Sequence, residues 1–215
     1  MTNEPKHPAL GKPVRIEFSA RHLHLQQDHQ DALFGAGYLM KPMKELSQTG
    51  QFAYEEKVTV KGPKGSVDVR VLGPCRKQTQ VELSVSEARM IGATATVRVS
   101  GDLKGSAGGV TLIGPNGSVE LSEGVINDVR HLHCSDSEAA AFGLKNGDLI
   151  EVAIPGATPI VVREVVVRVH PSFRANVHLD VDEANAADLT AQGMMGEIVG
   201  VHPKDGMAEH FYGDL

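Results

Sequence analysis

The sequence predicts a mainly β protein with short helices, organised as two small β-barrel domains that are related by an internal repeat. Two hairpins of nearly the same sequence, VTVKGPKGSVDVRVLGP at 58–74 and GVTLIGPNGSVELSEGV at 109–125, alternate apolar and polar residues around a Gly-Pro turn. The tetrapeptide RHLH also occurs twice, beginning at Arg21 and at Arg130. Short Ala-rich stretches ending near Gly lie between the strands, which favours brief helices over a doubly wound α/β sheet.

The other elements follow from local pattern. Strands are expected at VRIEF, ATVRVS, DLIEVAI and IVVREVVVRVH, and short helices at SEARMIGA and DSEAAAFG. We expect a polar N-terminal extension at 1–13, a first barrel at 14–105, a second barrel at 106–190 and a C-terminal extension of unassigned role at 191–215. The N-terminal strand could pack with the second barrel, and the metal site described below is expected between the two barrels.

Composition excludes several classes of function. The 215 residues have a formal net charge of −6, and only 4% are aromatic with no Trp, so neither nucleic acid nor an anionic membrane is an expected partner. No apolar run approaches the length of a membrane span, and the first thirteen residues have no apolar segment typical of a secretory signal. Cys75 and Cys134 do not make a disulfide framework, and a cytoplasmic location is expected.

The repeat extends beyond the hairpins. Aligning SVSEA at 84–88 with SDSEA at 135–139 superimposes the residues before each helix, and NVHLDVDEANAAD and RHLHLQQDHQDALFG supply a third and a fourth copy. The alignment places Gln80 and Asn176 on His131, and Glu82 and His178 on His133. Six potential metal ligands therefore occupy matched positions: His22, His24, Glu82, His131, His133 and His178.

Histidine and glutamate at these positions are suited to zinc or a similar divalent metal. Residues i and i+2 of a strand face the same way, so each His-x-His pair can bind one ion. The alternative for a single pair is a solvated face of a strand, but two pairs with Glu82 and His178 favour metal. Six ligands indicate two ions, and three protein ligands for each would leave the open coordination position typical of catalytic zinc.

Arg76 lies six residues before Glu82, where a guanidinium could bind phosphate or carboxylate in bidentate fashion. A surface arginine is an equally good interpretation of this residue alone. Cys134 and Cys75 are interpreted as small packing residues, with a catalytic thiol as the less favoured alternative. The glycine-rich stretch at 100–109 lacks the order of a phosphate-binding loop and is expected to be a connecting loop that could line the site.

Taken together, FSARHLHL, LSQTGQFAYEEKVTVKGPKG, LGPCRKQTQVELS, SGDLKGS and VRHLHCS resemble the PduL-type phosphate acyltransferases, also called phosphate propanoyltransferases. The resemblance extends from about Val14 to Leu189. It implies two barrels, a two-zinc site between them, and reversible transfer of a short acyl group, propanoyl or acetyl, between coenzyme A and inorganic phosphate.

The resemblance also implies residue roles. One zinc would be held by His22, His24 and Glu82, the other by His131, His133 and His178, and Arg76 would bind phosphate. Ser19, Ala20 and Arg21 are expected to contact coenzyme A. Family members in bacterial microcompartments have an amphipathic N-terminal helix, and MTNEPKHPALGKP has no apolar helical stripe, which argues against a microcompartment location.

Two other functions stay open at this point. A zinc-dependent hydrolase would activate water against a thioester, ester or amide, and a zinc-stabilised binding module would catalyse nothing. The residues do not fix the acyl chain length or the pathway, and a homo-oligomer is possible.

Overall fold

The computed structural model describes residues 6–189, 191 and 193–204. It confirms a mainly β protein with few, short helices. The elements are β1 (Pro13–Ser19), β2 (His22–His24), α1 (Gln27–Phe34), β3 (Pro42–Glu45), β4 (Phe52–Lys61), β5 (Ser66–Gly73), β6 (Gln80–Glu82), α2 (Val85–Ile91), β7 (Thr96–Arg98), β8 (Val110–Ile113), β9 (Ser118–Leu121), β10 (Val125–Asp128), β11 (His131–Cys134), α3 (Asp136–Phe142), β12 (Leu149–Ile154), β13 (Ile160–Val169), β14 (Asn176–Asp180), α4 (Val181–Ala186) and β15 (Met194–His202). Within the described ranges, none of the helices is long and apolar enough to cross a membrane.

The chain divides into two compact units. The sheet unit is Ala20–Asp128, and the barrel unit combines residues up to 19 with those from 129 onwards. The barrel unit is a closed barrel with the strand order β1-β14-β11-β13-β12-β15. Its core contains apolar side chains from the inward face of each strand, among them Ile16, Leu132 and Ile198. Burial of each such side chain stabilises the fold by about 1.5–3 kcal/mol.

The sheet unit contains nine strands in the order β7-β10-β6-β2-β5-β4-β8-β9, with β3 paired to β4. An isolated antiparallel bridge joins Ala107, just before β8, to Val125 at the start of β10. This bridge connects the segment before β8 to β10, and these two strands lie near opposite ends of the strand order. Leu23, Val69 and Leu112 are fully buried in the core of this unit.

The two units share the pairing around their His-x-His strands. In the sheet unit, β2 is parallel to β5 and antiparallel to β6. In the barrel unit, β11 is parallel to β13 and antiparallel to β14. The next strand is also matched, because β10 is parallel to β6 and β1 is parallel to β14. The internal repeat predicted from the sequence is therefore present in the strand topology.

The expected domain boundaries lie after residues 105 and 190, whereas the two units of the structure are divided after Ser19 and after Asp128. The hairpin β8–β9 was expected to begin the second barrel, but β8 pairs with β4 and so belongs to the sheet unit. β15, which falls in the C-terminal extension without an assigned role, pairs with both β1 and β12 and closes the barrel. Strand pairing across long sequence separations decided both outcomes.

Local sequence explains the helix ends. α2, α3 and α4 each begin with a capping box, in which an N-cap side chain and a glutamate three residues later satisfy each other's backbone N–H groups. The Ser-x-Ser-Glu repeat thus marks two helix starts, with Ser84 and Ser135 as N-caps. α2 and α3 end at Gly92 and Gly143, both in the left-handed conformation that glycine adopts without strain.

Two candidate metal centres

The first cluster, which we call the sheet cluster, consists of His22, His24 and Glu82. The antiparallel register of β2 and β6 places His22 opposite Glu82, and Leu23 between the two histidines faces the core. His22 Nε2 lies 3.1 Å from Glu82 Oε2, and His24 Nε2 lies 3.9 Å from Glu82 Oε1. One ligand atom from each residue lies within 4.8 Å of the others, so the three could hold one metal ion.

The second cluster, the barrel cluster, consists of His131, His133 and His178. The register of β11 and β14 places His131 opposite His178, as His22 is opposite Glu82. The ring centroids of His131 lie 4.4 Å from His133 and 5.0 Å from His178. These three also offer ligand atoms within 4.8 Å of one another. The two predicted ligand sets are therefore each brought together, one in each unit.

The first histidine of each pair is oriented by the backbone. His22 Nδ1 lies 3.0 Å from the carbonyl oxygen of Ala20, and His131 Nδ1 lies 2.8 Å from that of Val129. A hydrogen bond to a carbonyl requires the proton on Nδ1, so in the neutral ring Nε2 is the nitrogen that can bind a metal ion. Metal-binding histidines are commonly fixed in this way, so both rings are prepared to act as ligands through Nε2.

The carboxylate sets the electrostatics of the sheet cluster. Burial alone would raise the pKa of Glu82, but His22 beside it holds that pKa well below its usual range. Burial likewise opposes protonation of His22, yet its charge attraction and hydrogen bond to Glu82 leave its pKa raised. Burial, together with the nearby Arg76 and His22, lowers the pKa of His24 well below its ordinary value. Glu82 is thus ionised and His24 neutral at neutral pH, which is the state a metal ligand needs.

His133 is a buried, neutral histidine whose ring nitrogens lack hydrogen-bond partners among the described residues. Burial, with His131 and His178 as neighbours, lowers its pKa far below the ordinary value, so the ring is neutral. Neither of its ring nitrogens has a hydrogen-bond partner among the described residues. A buried polar atom without a partner costs about 1–3 kcal/mol, which a bound metal ion would offset. The ring of Phe173 packs against His133 with 3.9 Å between centroids, which limits where that imidazole can turn.

Arg76 belongs to a polar network at the sheet cluster. Its Nη1 donates to Ser100 Oγ at 3.0 Å, and the Ser100 hydroxyl donates to Glu82 Oε1 at 3.2 Å. Gln80 Nε2 donates to Ser100 Oγ at 2.8 Å and also to Glu82 Oε1. Arg76 is half-buried, whereas neighbouring Lys77 is exposed. Sequence reasoning missed Ser100 and Gln80, and only the expectation that the loop at 100–109 could line the site pointed towards Ser100.

The repeated arginines have matched structural partners. Arg21 donates through Nη1 to Glu87 Oε1 at 3.0 Å and through Nε to the carbonyl of Asp68 in β5 at 2.9 Å. Arg130 pairs through Nε with Glu183 Oε1 at 2.7 Å and donates through Nη1 to the carbonyl of Arg163 in β13 at 3.0 Å.

In both units the arginine therefore links a capping-box glutamate to a neighbouring strand, a role that sequence analysis did not assign. Of the other residues expected to contact coenzyme A, half-buried Ser19 ends β1, and exposed Ala20 contributes its carbonyl to His22.

Of the two cysteines expected to be small packing residues, Cys134 has that role and Cys75 does not, because Cys75 lies at the surface. Cys134 is fully buried in the barrel core, and burial raises the pKa of its thiol to about 12. Cys75 is exposed, and its thiol donates to Gln30 Oε1 at 3.1 Å. Burial of part of the residue, followed by the charge of Asp31, raises the pKa of Cys75 as well. Neither thiol is in an environment that favours the thiolate.

These features define a class of protein: a mainly β fold with two largely buried clusters of potential metal ligands and an arginine network beside one of them. A family model described as phosphate propanoyltransferase matches residues 15–190, so the chain belongs to that family. Membership of this family supports the interpretation of the chain as an enzyme, an acyltransferase with phosphate acyltransferase activity.

Individual relatives agree with the family assignment. The phosphate propanoyltransferase of Rhodopseudomonas palustris (strain BisB18) is 47% identical over 177 residues, covering 82% of this chain and 78% of the relative. That of Thermotoga maritima is 45% identical over 178 residues, covering 82% of this chain and 84% of the relative. That of Leptotrichia buccalis is 44% identical over 184 residues, covering 85% and 86% respectively.

Proposed function

We propose that this chain reversibly transfers a short acyl group, propanoyl or acetyl, between coenzyme A and inorganic phosphate, using zinc bound at both clusters. The observation that carries the proposal is the pair of largely buried three-residue clusters, with Arg76 beside one of them, in a chain of the phosphate propanoyltransferase family. In the forward direction the carbonyl–sulfur bond of acyl-CoA breaks, a carbonyl–oxygen bond to phosphate forms, and coenzyme A leaves as its thiol or thiolate.

The ligand chemistry fits zinc. Neutral imidazoles and an ionised carboxylate are zinc ligands, and the partnerless nitrogens of His133 are suited to a metal. His22, His24 and Glu82 would hold one ion, and His131, His133 and His178 the other. Zinc with open positions would supply Lewis acidity, which stabilises a leaving thiolate and the negative charge that develops at the carbonyl oxygen.

Arg76 is proposed to bind the phosphate substrate. A guanidinium cannot ligate a metal because it offers donors only, but it can donate two parallel hydrogen bonds to phosphate oxygens. Its bond to the Ser100 hydroxyl fixes the direction of one side of the group beside the sheet cluster. Ser19, Ala20 and Arg21 remain proposed contacts of coenzyme A.

The thiols support direct attack of phosphate on the thioester. A covalent acyl-enzyme needs an activated nucleophile, but the Cys134 thiol is buried with a pKa of about 12, and the pKa of Cys75 is also raised. A direct mechanism predicts that labelled coenzyme A does not exchange into propanoyl-CoA without phosphate. Exchange in the absence of phosphate would indicate an acyl-enzyme and contradict this step.

The decisive test measures coenzyme A release from acetyl-CoA and propanoyl-CoA, with and without phosphate. We expect release only with phosphate, together with formation of acyl phosphate. Release that does not need phosphate would favour the alternative, a zinc-dependent hydrolase of a thioester, ester or amide. No release under either condition would favour a binding module.

A further inference from the structure

We infer that Gln80 is a positioning residue that joins the Glu82 carboxylate to the loop of Ser100, and so aligns the phosphate-binding arginine with the sheet cluster. The inference rests on the proposed function for the roles of Glu82 and Arg76. The geometry of Gln80 itself stands independently of that function.

The described side-chain hydrogen bonds of Gln80 go to Glu82, Ser100 and Gly101, all beside the sheet cluster. Its Nε2 donates to Glu82 Oε1 and, at 2.8 Å, to Ser100 Oγ. Its Oε1 accepts from the backbone N–H of Gly101 at 2.8 Å. The residue is only 1% exposed, so water cannot replace these bonds without a change of structure.

The orientation of the amide is determined by its neighbours. A flipped amide would place Oε1 against the Glu82 carboxylate and the NH₂ group against the N–H of Gly101, with repulsion at both contacts. The donors therefore face Glu82 and Ser100. One rigid amide connects a ligand on β6 to two successive residues of a connecting loop.

Gln80 thereby connects the candidate metal ligand Glu82 to Ser100, which is in turn bonded to Arg76. Glu82 Oε1 is held by Gln80 and Ser100, while Glu82 Oε2 lies towards His22. Ser100 is also the acceptor for Arg76. Without the Gln80 amide, the carboxylate could rotate and the Ser100 loop would lose two of its anchors, so both metal retention and the direction of Arg76 should change.

The register makes this residue comparable with its repeat counterpart. Gln80 lies opposite His24, as Asn176 lies opposite His133. In the barrel cluster the ligand that corresponds to Glu82 is His178, which has no carboxylate for an amide to hold. The longer Gln80 thus accompanies the one cluster that contains a carboxylate.

The test compares Gln80→Met with wild type and with Gln30→Met in the full chain. Met keeps the length of Gln and removes every hydrogen bond of the amide. Gln30 is a buried amide of the same unit whose described hydrogen bonds go to the Tyr38 carbonyl and Cys75, and not to His22, His24 or Glu82. Its variant therefore reports the general cost of removing a buried amide.

We expect Gln80→Met to raise KM for phosphate about tenfold or more, with little change in KM for propanoyl-CoA. Zinc release to a coloured chelator, followed without substrate, should show one of two ions leaving about tenfold faster. Gln30→Met should lower thermal stability only. A double-mutant cycle with Ser100→Ala should be non-additive in KM for phosphate, because the two side chains act as one unit.

Each outcome decides the inference. Wild-type KM and zinc release in Gln80→Met, behaviour indistinguishable from Gln30→Met, or additivity with Ser100→Ala would each overturn it. If Gln80→Met does not fold, Gln80→Glu keeps the size but replaces the amide's two N–H donors with at most one O–H donor, so the bonds to Glu82 and Ser100 cannot both form, and KM for phosphate should rise. If wild type shows no phosphate-dependent release, the proposed function fails, while zinc release still tests the Gln80–Glu82 contact.

Discussion

The sheet unit and the barrel unit surround their His-x-His strands in the same way but complete their clusters differently. In both, the strand lies between one parallel and one antiparallel neighbour, and the first histidine is fixed by a carbonyl two residues earlier. The third candidate ligand is Glu82 in the sheet unit and His178 in the barrel unit. One scaffold therefore supports an anionic cluster and a neutral one.

This difference in charge has physical consequences. The Glu82 carboxylate raises the pKa of His22 and accepts hydrogen bonds from Ser100 and Gln80. Neighbouring side chains therefore stabilise the negative charge of the sheet cluster. The barrel cluster lacks a carboxylate, and its His133 packs against Phe173 with no hydrogen-bond partner in the described part of the chain. An ion with three neutral ligands keeps its full charge and would be the stronger Lewis acid. Repeated folds can thus differ in chemistry through one side chain.

The largest expected effect tests whether the two clusters are equivalent as metal sites. His24→Ala and His133→Ala should each lower zinc content from close to two ions per chain to close to one, and each should reduce phosphate-dependent turnover by more than about 100-fold. Elemental analysis of the purified proteins measures the content. His202→Ala, at an exposed histidine that pairs with Glu151, is the control. Two ions retained in either variant would contradict the ligand assignment.

The second effect concerns the arginine network that accompanies the anionic cluster. Arg76→Ala should weaken phosphate use by roughly ten- to hundredfold, which corresponds to about 1.5–3 kcal/mol for a lost charge-assisted hydrogen bond, and should leave zinc content intact. Arg76→Lys should restore little, because an ammonium cannot donate in two-pronged fashion. The dependence of rate on phosphate concentration is the measurement, with exposed Lys77→Ala as control. Unchanged phosphate use in Arg76→Ala would make Arg76 a surface arginine.

A smaller effect tests the matched arginines. Arg21→Ala and Arg130→Ala each remove an ion pair to a capping glutamate and a bond to a strand carbonyl, so each should lower the free energy of unfolding by about 1 kcal/mol. Thermal melting of the two variants measures this. If Arg21 also contacts coenzyme A, only Arg21→Ala should raise KM for propanoyl-CoA. A melting temperature lowered in only one of the two variants would show that Arg21 and Arg130 do not have equivalent structural roles.

The smallest effect compares one thiol from each unit and leaves activity unchanged. Cys75 is exposed and should react with a disulfide reagent in the native protein at pH 8, although slowly because its pKa is raised. Cys134 is buried with a pKa of about 12 and should react only after unfolding. Counting released chromophore before and after denaturant gives the result, and Cys75→Ser should abolish the native phase. Reaction of two thiols before denaturant is added would show that the barrel core opens readily.

Sequence reasoning succeeded where the signal is local. The hairpins at 58–74 and 109–125 correspond to β4–β5 and β8–β9, because alternation and a Gly-Pro turn specify a hairpin within a few residues. The Ser-x-Ser-Glu motif predicts helix starts because both capping partners lie within one turn. The six candidate ligands were found because a repeat placed them at equivalent positions.

The missed features depend on contacts between distant segments. β15 closes the barrel by pairing with β1, a strand about 180 residues earlier, and no local pattern specifies such a partner. Ser100 and Gln80 are ordinary polar residues in sequence, and their role depends on a loop that returns to β6.

By itself, the sequence determined which side chains could bind metal, where the hairpins and helix caps lie, and that the chain is a repeat. These properties depend on residue type, alternation and short spacing, which act within a few residues. Tertiary structure alone decided that β10, although next to β11 in sequence, completes the sheet unit, while β1, next to β2, completes the barrel unit. Every residue except proline offers the same backbone donor and acceptor, so the choice of partner strand depends on how the whole core can be filled.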